Sequence, residues 1–291
     1  MCKVAWTPMP REREDPHTRP TSWIVPIFFL SGTLFALSNC APLPQRPAIS
    51  VKPAIAEQLL VTLRQKESAI LSLKGLLRIH IQGDGVPISR RMDGVLLYRR
   101  PHLIRLKGFS PLGGLVFDFL VNRDHYTLHI PKEGHVFTGK VGDLEATGGI
   151  GVLVKLSLQA MDTLLGKVGN VDQGQLYVVE DGDQYRIEVW PSSAEDDLAD
   201  EGIIRRIWVG RNPFQVNQLE HLSSDGEIIV VVQAEDFRPV RKPSPLENST
   251  IMLPFQVVAE DRLGEKSVSL KFQEIIANAP LEAKEFGLTK F

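Results

Sequence analysis

The spacing of apolar residues changes from helical to alternating after residue 71. Apolar side chains recur near every 3.6 positions over residues 53–71, with charged residues on the opposite face, which predicts a first helix. Residues 77–82 then alternate between apolar and polar, which predicts a strand with one solvated face. Short polar turns separate the extended segments that follow and predict an antiparallel meander, at 94–99, 102–109, 114–121 and 126–130.

A second helix is predicted over residues 152–165, where apolar side chains cover most of the helix circumference. A helix of this kind needs to be enclosed, for instance by the concave face of a sheet. A second group of extended segments follows, at 176–180, 185–190, 203–209, 214–222, 228–234, 251–259 and 267–275. The pattern predicts a mainly β protein of the α+β class, with roughly ten strands and two helices.

The N-terminal region has the layout of an export signal. A run of about 15 apolar residues, 23–37, is too short for a full membrane span. It ends in Leu37-Ser38-Asn39-Cys40, which resembles the lipobox of bacterial lipoproteins, although Gly, Ala or Ser is usual before the cysteine. The resemblance implies cleavage before Cys40, with a diacylglycerol and an N-acyl chain on this residue. An ordinary secretory signal with an incidental Cys40 is the alternative, and translation begins at Met1 or Met9.

The predicted organisation is a signal peptide (1–39), a tether (40–52) and a single domain (53–291). Residues 41–53 hold four prolines, which favour an extended, semi-stiff backbone suited to a tether. Ala41 follows the cysteine where, by analogy with Gram-negative sorting, Asp would retain a lipoprotein in the inner membrane. We therefore expect an outer-membrane lipoprotein that faces the periplasm.

Composition narrows the class of protein. Of the 291 residues, 43% are hydrophobic, which is ample material for a core. Lys and Arg total 33 and Asp and Glu total 35, so the net charge of −2 argues against a general nucleic-acid binder. The two cysteines, Cys2 and Cys40, exclude a disulfide scaffold and a Cys-rich zinc site.

Three patterns are candidates for chemistry: a histidine cluster (His125, His129 and His135), a glycine-rich segment (148–151) and an acidic segment (192–202). The histidines lack a further ligand at a diagnostic spacing, so exposed strand histidines are the better interpretation. The glycines lack the Lys-Ser/Thr of a phosphate loop and are expected to lead into the second helix. The acidic segment lacks the order of an EF-hand and is expected to be a solvated loop. We expect no metal, no cofactor and no enzymatic activity.

Residues 105–117 read RLKGFSPLGGLVF, in which a strand runs into a polar-Pro-Leu-Gly turn and out into another apolar strand. This segment resembles the LolA/LolB family, and within it the outer-membrane lipoprotein receptors, LolB. A looser match covers 253–255 and 267–272. The resemblance implies a half-open antiparallel β-barrel whose helices form a lid over an apolar cavity. It also implies that Leu112, between Pro111 and Gly113, protrudes and serves in delivering lipoproteins to the membrane.

The resemblance further implies that acyl chains enter the cavity, whose expected lining and lid residues are Leu156, Met161, Leu165, Phe117 and Phe119. The expected partners are the outer membrane, a lipoprotein or lipid cargo and a LolA-like periplasmic carrier, with the protein itself a monomer. The alternative is a structural or assembly lipoprotein of the same fold that fills the cavity with its own side chains. In that case the acidic segment 192–202 and the proline-rich segment 237–248 would be partner surfaces.

Overall fold

The computed structural model describes residues 49–50, 53–83, 91–147, 149–168, 174–191, 203–242, 250–263 and 266–288. Cys40, the predicted signal and the predicted acidic loop lie outside the described residues. Residues Gln45–Phe291 form one compact unit, and both of its hydrophobic clusters lie within it. We therefore expect this unit to fold without the residues before it.

One antiparallel sheet dominates this unit. Its strands are β1 (Ile49–Ser50), β2 (Ser72–Gln82), β3 (Arg91–Arg99), β4 (Leu103–Phe109), β5 (Leu115–Asn122), β6 (His125–Ile130), β7 (His135–Lys140), β8 (Gly174–Asp181), β9 (Gln184–Pro191), β10 (Arg205–Gly210), β11 (Val216–Leu222), β12 (Ile228–Pro239), β13 (Met252–Asp261) and β14 (Lys266–Ala277). Their order is β1-β8-β9-β10-β11-β12-β13-β14-β2-β3-β4-β5-β6-β7. Two consecutive meanders are thus joined where the last strand, β14, pairs with β2.

The sheet is open, and its size differs from the prediction. Among the described strands, β1 pairs only with β8 and β7 pairs only with β6, so the expected half-open barrel is corrected to an open sheet. The expected count of roughly ten strands is also wrong, because the sheet has fourteen. β1 has only two residues, and none of the six residues of β7 is fully buried. An edge strand of this kind lacks the apolar alternation by which strands are recognised.

Two α-helices occur in the part of the chain that the structure describes, α1 (Pro53–Ser68) and α2 (Gly149–Leu164). Short 3-10 helices cover Pro131–Glu133, Val141–Thr147 and Ala283–Phe286. α2 packs on β11 to β14, and we call the face that it covers the inner face of the sheet. Side chains of that face, together with Leu63 of α1 and most of α2, form one continuous core. The sheet therefore encloses the second helix, as the sequence predicted.

The core requires a glycine at one position of β4. A Cβ on Gly108 would collide with the Phe117 ring and would lie 2.5 Å from the Met92 sulfur. Because Gly108 has no side chain, the Phe117 ring of the neighbouring strand has room to lie flat on the sheet.

The C-terminal tail covers part of the opposite, outer face. Phe286 is fully buried there against Leu97 and Leu103, and the partly buried Leu120 of β5 packs against the same cluster. The protein's own tail therefore covers the outer side of β5 at Leu120.

Arg105 fixes the tail to the sheet. Its Nε and Nη2 donate to the two carboxylate oxygens of Asp118 at 2.9 and 2.6 Å, and its Nη1 donates to the carbonyl oxygen of Glu285 at 2.9 Å. Such a two-point ion pair is stronger and more directional than a single contact. The guanidinium of Arg99 also lies 5.4 Å from the centre of the Phe286 ring.

Candidate functional site

A tight turn joins β4 to β5. The Gly113 N–H donates to the Ser110 carbonyl oxygen at 2.8 Å, and the Ser110 N–H donates to the Gly114 carbonyl oxygen at 2.8 Å. The Gly114 N–H also donates to the Ser110 hydroxyl at 3.2 Å. Gly113 has a φ of 85°, which a glycine adopts without steric cost. These hydrogen bonds hold the turn in one conformation between two strands.

Leu112 stands at the tip of this turn and is 99% exposed. Pro111 and Gly113, its neighbours in the predicted membrane-contacting segment, are exposed as well. Burying a leucine side chain is worth about 1.5–3 kcal/mol. A fully exposed leucine on a rigid turn therefore adds little to folding, and its apolar surface is available to another apolar phase.

An apolar cleft of about 330 Å³ lies where the C-terminal ends of α1 and α2 approach the start of β13. Its apolar walls include Leu63, Ile70, Leu164, Leu165, Ile251 and Leu253. This volume is near the lower end for small-molecule sites. The contributions of α1 and β13 to this cleft were not predicted from the sequence. The apolar run at 251–255 was a visible signal, but the placement of α1 beside it depends on tertiary packing.

Lys66 lies at the edge of this cleft. Its ammonium donates to the Phe214 carbonyl oxygen and lies 5.3 Å from the centre of the Phe214 ring. Burial lowers the pKa of Lys66 from its ordinary value. The cleft thus combines apolar walls with one cation at its rim, a combination suited to an acyl chain with a polar head.

The structure separates the five residues expected to line the cavity. Leu165 lines the cleft, whereas the other four are buried in the core, at Leu156, Met161, Phe117 and Phe119. α2 therefore fills much of the inner face of the sheet with its own side chains.

The cleft and the exposed turn lie at opposite ends of the sheet. Met252, at the cleft, begins β13, and the strand runs ten residues to Asp261 at the other end. The register from β14 through β2 and β3 places Leu112 at the end where β13 finishes. Ten extended residues span about 33 Å.

Two basic side chains face the inner side at β10 and β11. Arg205 lies directly opposite His221 in the register of these strands. Burial, with smaller contributions from Arg205 and Lys155, lowers the pKa of His221 from 6.5 to about 4. Burial also lowers the pKa of Arg205. His221 is thus neutral at pH 7, which limits the positive charge beneath the helix.

The predicted histidine cluster is spread along the sheet. His125 and His129 share the outer face of β6 but are four residues apart, a separation of about 13 Å that is too long for one metal ion. The His125 Nδ1 lies 2.8 Å from an Asp124 carboxylate oxygen, and the His135 Nδ1 lies 3.5 Å from Glu133. No group of three metal-ligating residues occurs within the described ranges.

The remaining predicted features lie at the limits of the described chain. Gly149 begins α2, as expected for the glycine-rich segment, and residue 148 lies outside the described residues. Within the predicted proline-rich segment, residues 237–239 belong to β12, and residues 243–248 lie outside the described chain. Of the helices that the structure describes, none has the length and apolar character needed to cross a membrane.

Comparison with known proteins supports the fold, but it supports neither a family nor a function. No family model and no curated protein matches this sequence. A DUF1329 family protein from Desulfovibrio piger has a similar structure with a TM-score of 0.55 at 10% identity, covering 82% of this chain and 100% of that one.

Two further solved structures have lower scores. One, from Vibrio parahaemolyticus, is described as an outer membrane lipoprotein-sorting protein domain, with a TM-score of 0.49 at 9% identity over 79% of this chain and 94% of that one. The other is the LolA superfamily protein NE2245 from Nitrosomonas europaea, with a TM-score of 0.46 at 12% identity over 79% of this chain and 97% of that one. Of these three structures, only the Desulfovibrio protein bears on the fold, because the scores of the other two are below 0.5.

Proposed function

We propose that this protein is an outer-membrane lipoprotein of the LolB type. In this role it binds acyl chains in an apolar site and helps to insert lipoproteins or lipids into the outer membrane. The observation that carries the proposal is Leu112, which is 99% exposed on a turn fixed by backbone hydrogen bonds. Two sequence features also support this proposal: the lipobox-like sequence at Cys40 and the Ser-Pro-Leu-Gly turn.

In this proposal, the two ends of the sheet have separate tasks. The cleft holds an acyl chain, and burial stabilises the bound chain by about 0.8 kcal/mol per methylene. Leu112 contacts the bilayer at the other end. Release needs no catalytic group, because the membrane interior offers the acyl chain a comparable apolar environment.

The role of Leu112 is tested by delivery of a labelled lipoprotein or lipid to membranes. We expect Leu112→Glu to fold normally and to retain lipid while transfer falls, because a carboxylate is costly to move into an apolar phase. Leu71→Glu is the matched control, since Leu71 is 60% exposed at the other end of the sheet. Normal transfer by a stable Leu112→Glu protein would refute the proposed role.

Acyl binding is tested by mass spectrometry of lipids that copurify with residues 45–291 under mild conditions. We expect the unmodified unit to carry lipid. Leu165→Trp should carry less, because the larger side chain occupies the cleft that Leu165 lines. Equal lipid in both proteins would show that the cleft is not the site.

The anchor is tested at Cys40. We expect metabolic labelling by palmitate in the wild type and none in Cys40→Ser, whose precursor should remain uncleaved. If Cys40→Ser were cleaved at the same bond and released, an ordinary secretory signal would be the correct interpretation.

A structural or assembly lipoprotein is the second candidate function, and one observation favours it. Leu156 and Met161 of α2 are buried in the core, so the protein itself occupies much of its inner face. Absence of copurified lipid, together with a bound envelope protein recovered by crosslinking in cells, would support this function over the first.

A further inference from the structure

A groove of about 550 Å³ lies on the outer face of β14, β2 and β3. Pro111 forms part of its wall, so the groove adjoins the turn that carries Leu112. Its ionisable side chains, within the described residues, are Arg78, His80, Arg91, Lys271 and a single carboxylate, Asp93. The whole chain has a net charge of −2, so this local positive excess does not follow from the overall composition.

The register of the strands brings the positive groups of this basic groove together. Arg78 lies directly opposite Lys271 on β14, and Arg91 lies opposite His80. Arg78 and Lys271 are like charges, and like charges directly opposite one another on a sheet face destabilise the pairing. Arg78, Arg91 and Lys271 are all exposed to solvent. Asp93 lies opposite Arg78 on β3 and offsets one of these charges, so the described side chains of the groove leave a positive excess on an exposed surface.

A second exposed leucine lies at the same end of the sheet. Leu263 follows β13 and is 71% exposed. Asp261 pairs with Lys266, and Ser267 pairs with Gln82, so Leu263 lies beyond the end of the basic groove. The strands of the groove therefore lie between two exposed leucines, Leu112 and Leu263.

We propose that the basic groove docks on the phosphate groups of anionic lipids, in the same bilayer that Leu112 enters. The proposal rests on the proposed function and adds the class of membrane lipid that this end of the protein recognises. Basic residues near an anionic membrane surface and apolar side chains in its interface strengthen binding together. The groove orients this end of the sheet toward the bilayer, and the side chains of Leu112 and Leu263 enter the bilayer.

The test uses residues 45–291, which lack the predicted lipid anchor, so that vesicle binding depends on the protein surface alone. Vesicles of phosphatidylcholine are compared with vesicles in which part of the lipid is anionic phosphatidylglycerol. We expect tighter binding to the anionic vesicles, and the difference should disappear at high salt. The double variant Arg78→Gln/Lys271→Gln should lower the affinity for anionic vesicles about 30-fold and leave the weak binding to phosphatidylcholine unchanged.

The matched control is Lys140→Gln/Lys284→Gln, which removes the same charge at the opposite end of the sheet from the groove. Lys140 ends β7 opposite His125, and Lys284 belongs to the tail that packs near Leu103. This control should bind anionic vesicles nearly as the wild type does. An equal loss in both double variants would overturn the proposal, because binding would then follow net charge alone.

Two further outcomes separate this proposal from the proposed function. Equal binding to both kinds of vesicle, reduced by Leu112→Glu but not by Arg78→Gln/Lys271→Gln, would refute the basic groove and leave the role of Leu112 standing. Binding of polyglutamate by the wild type and not by the double variant, without any preference for anionic vesicles, would show that the groove takes an acidic protein surface. That result would also overturn the proposal.

Discussion

Truncation of Leu156 to alanine measures how completely α2 fills the inner face of the sheet. Leu156 is 1% exposed and belongs to the continuous core, so the substitution removes three buried carbons. At about 0.8 kcal/mol per methylene, the transfer of these atoms alone costs about 2.4 kcal/mol. A cavity that collapses only partly adds to this, so we expect a loss of about 3–4 kcal/mol in the free energy of unfolding.

Urea unfolding of residues 45–291, followed by far-UV circular dichroism, gives the measurement. With a slope near 3 kcal/mol per molar, typical of the upper end for small proteins, the midpoint should fall by about 1 M. Leu112→Ala is the control and should change stability by less than about 0.5 kcal/mol, because Leu112 is fully exposed. A Leu156→Ala midpoint within the error of the wild type would refute the packing argument and indicate an open interior.

Three further predictions concern other parts of the fold. The pKa of His221 is lowered from 6.5 to about 4 in the folded protein. As the pH falls from 6.5 to 4, the unfolded chain therefore binds a proton at His221 before the folded protein does, which favours unfolding. Stability should be full above pH 6.5 and should fall by up to about 3 kcal/mol by pH 4, a loss that His221→Gln should remove when urea midpoints are compared across pH. Gly108→Ala should cost about 1–3 kcal/mol by overpacking, whereas Gly142→Ala, where a Cβ meets nothing within 4 Å, should cost far less in the same urea assay. Phe286→Ala should release the C-terminal tail and speed trypsin cleavage at Lys284 more than ten-fold, because a fully buried ring is lost; an unchanged rate would show that other contacts hold the tail.

Local patterns predicted both helices and most of the described strands, although they missed β1 and β7. The second helix was expected over residues 152–165 and is Gly149–Leu164, because its apolar side chains recur over several turns. The tight turn around Leu112 follows from Pro111 and Gly113, whose backbone preferences act locally. The exposed position of Leu112, which depends only on such local features, is therefore as predicted, and its role at the membrane stays a prediction.

The features that sequence reasoning missed depend on contacts between distant residues. The pairing of β14 with β2, the docking of Phe286 on Leu97 and the groove that joins Arg78 to Lys271 have no local pattern. The strand β7 was missed for a different reason, since none of its side chains is fully buried. Charges at alternate positions of separate strands become a cluster only after the register is known.

The pairing of β14 with β2 also determines when the sheet can be completed during synthesis. Gln82 and Ser267 bond across this pair although they are 185 residues apart in the chain. At about 5–20 residues per second, β2 emerges roughly 10–40 s before its partner exists. Throughout that interval the first meander presents an unsatisfied strand edge, to which another nascent chain could add. The edge of β2 is therefore completed only when the final strand of the sheet has been made.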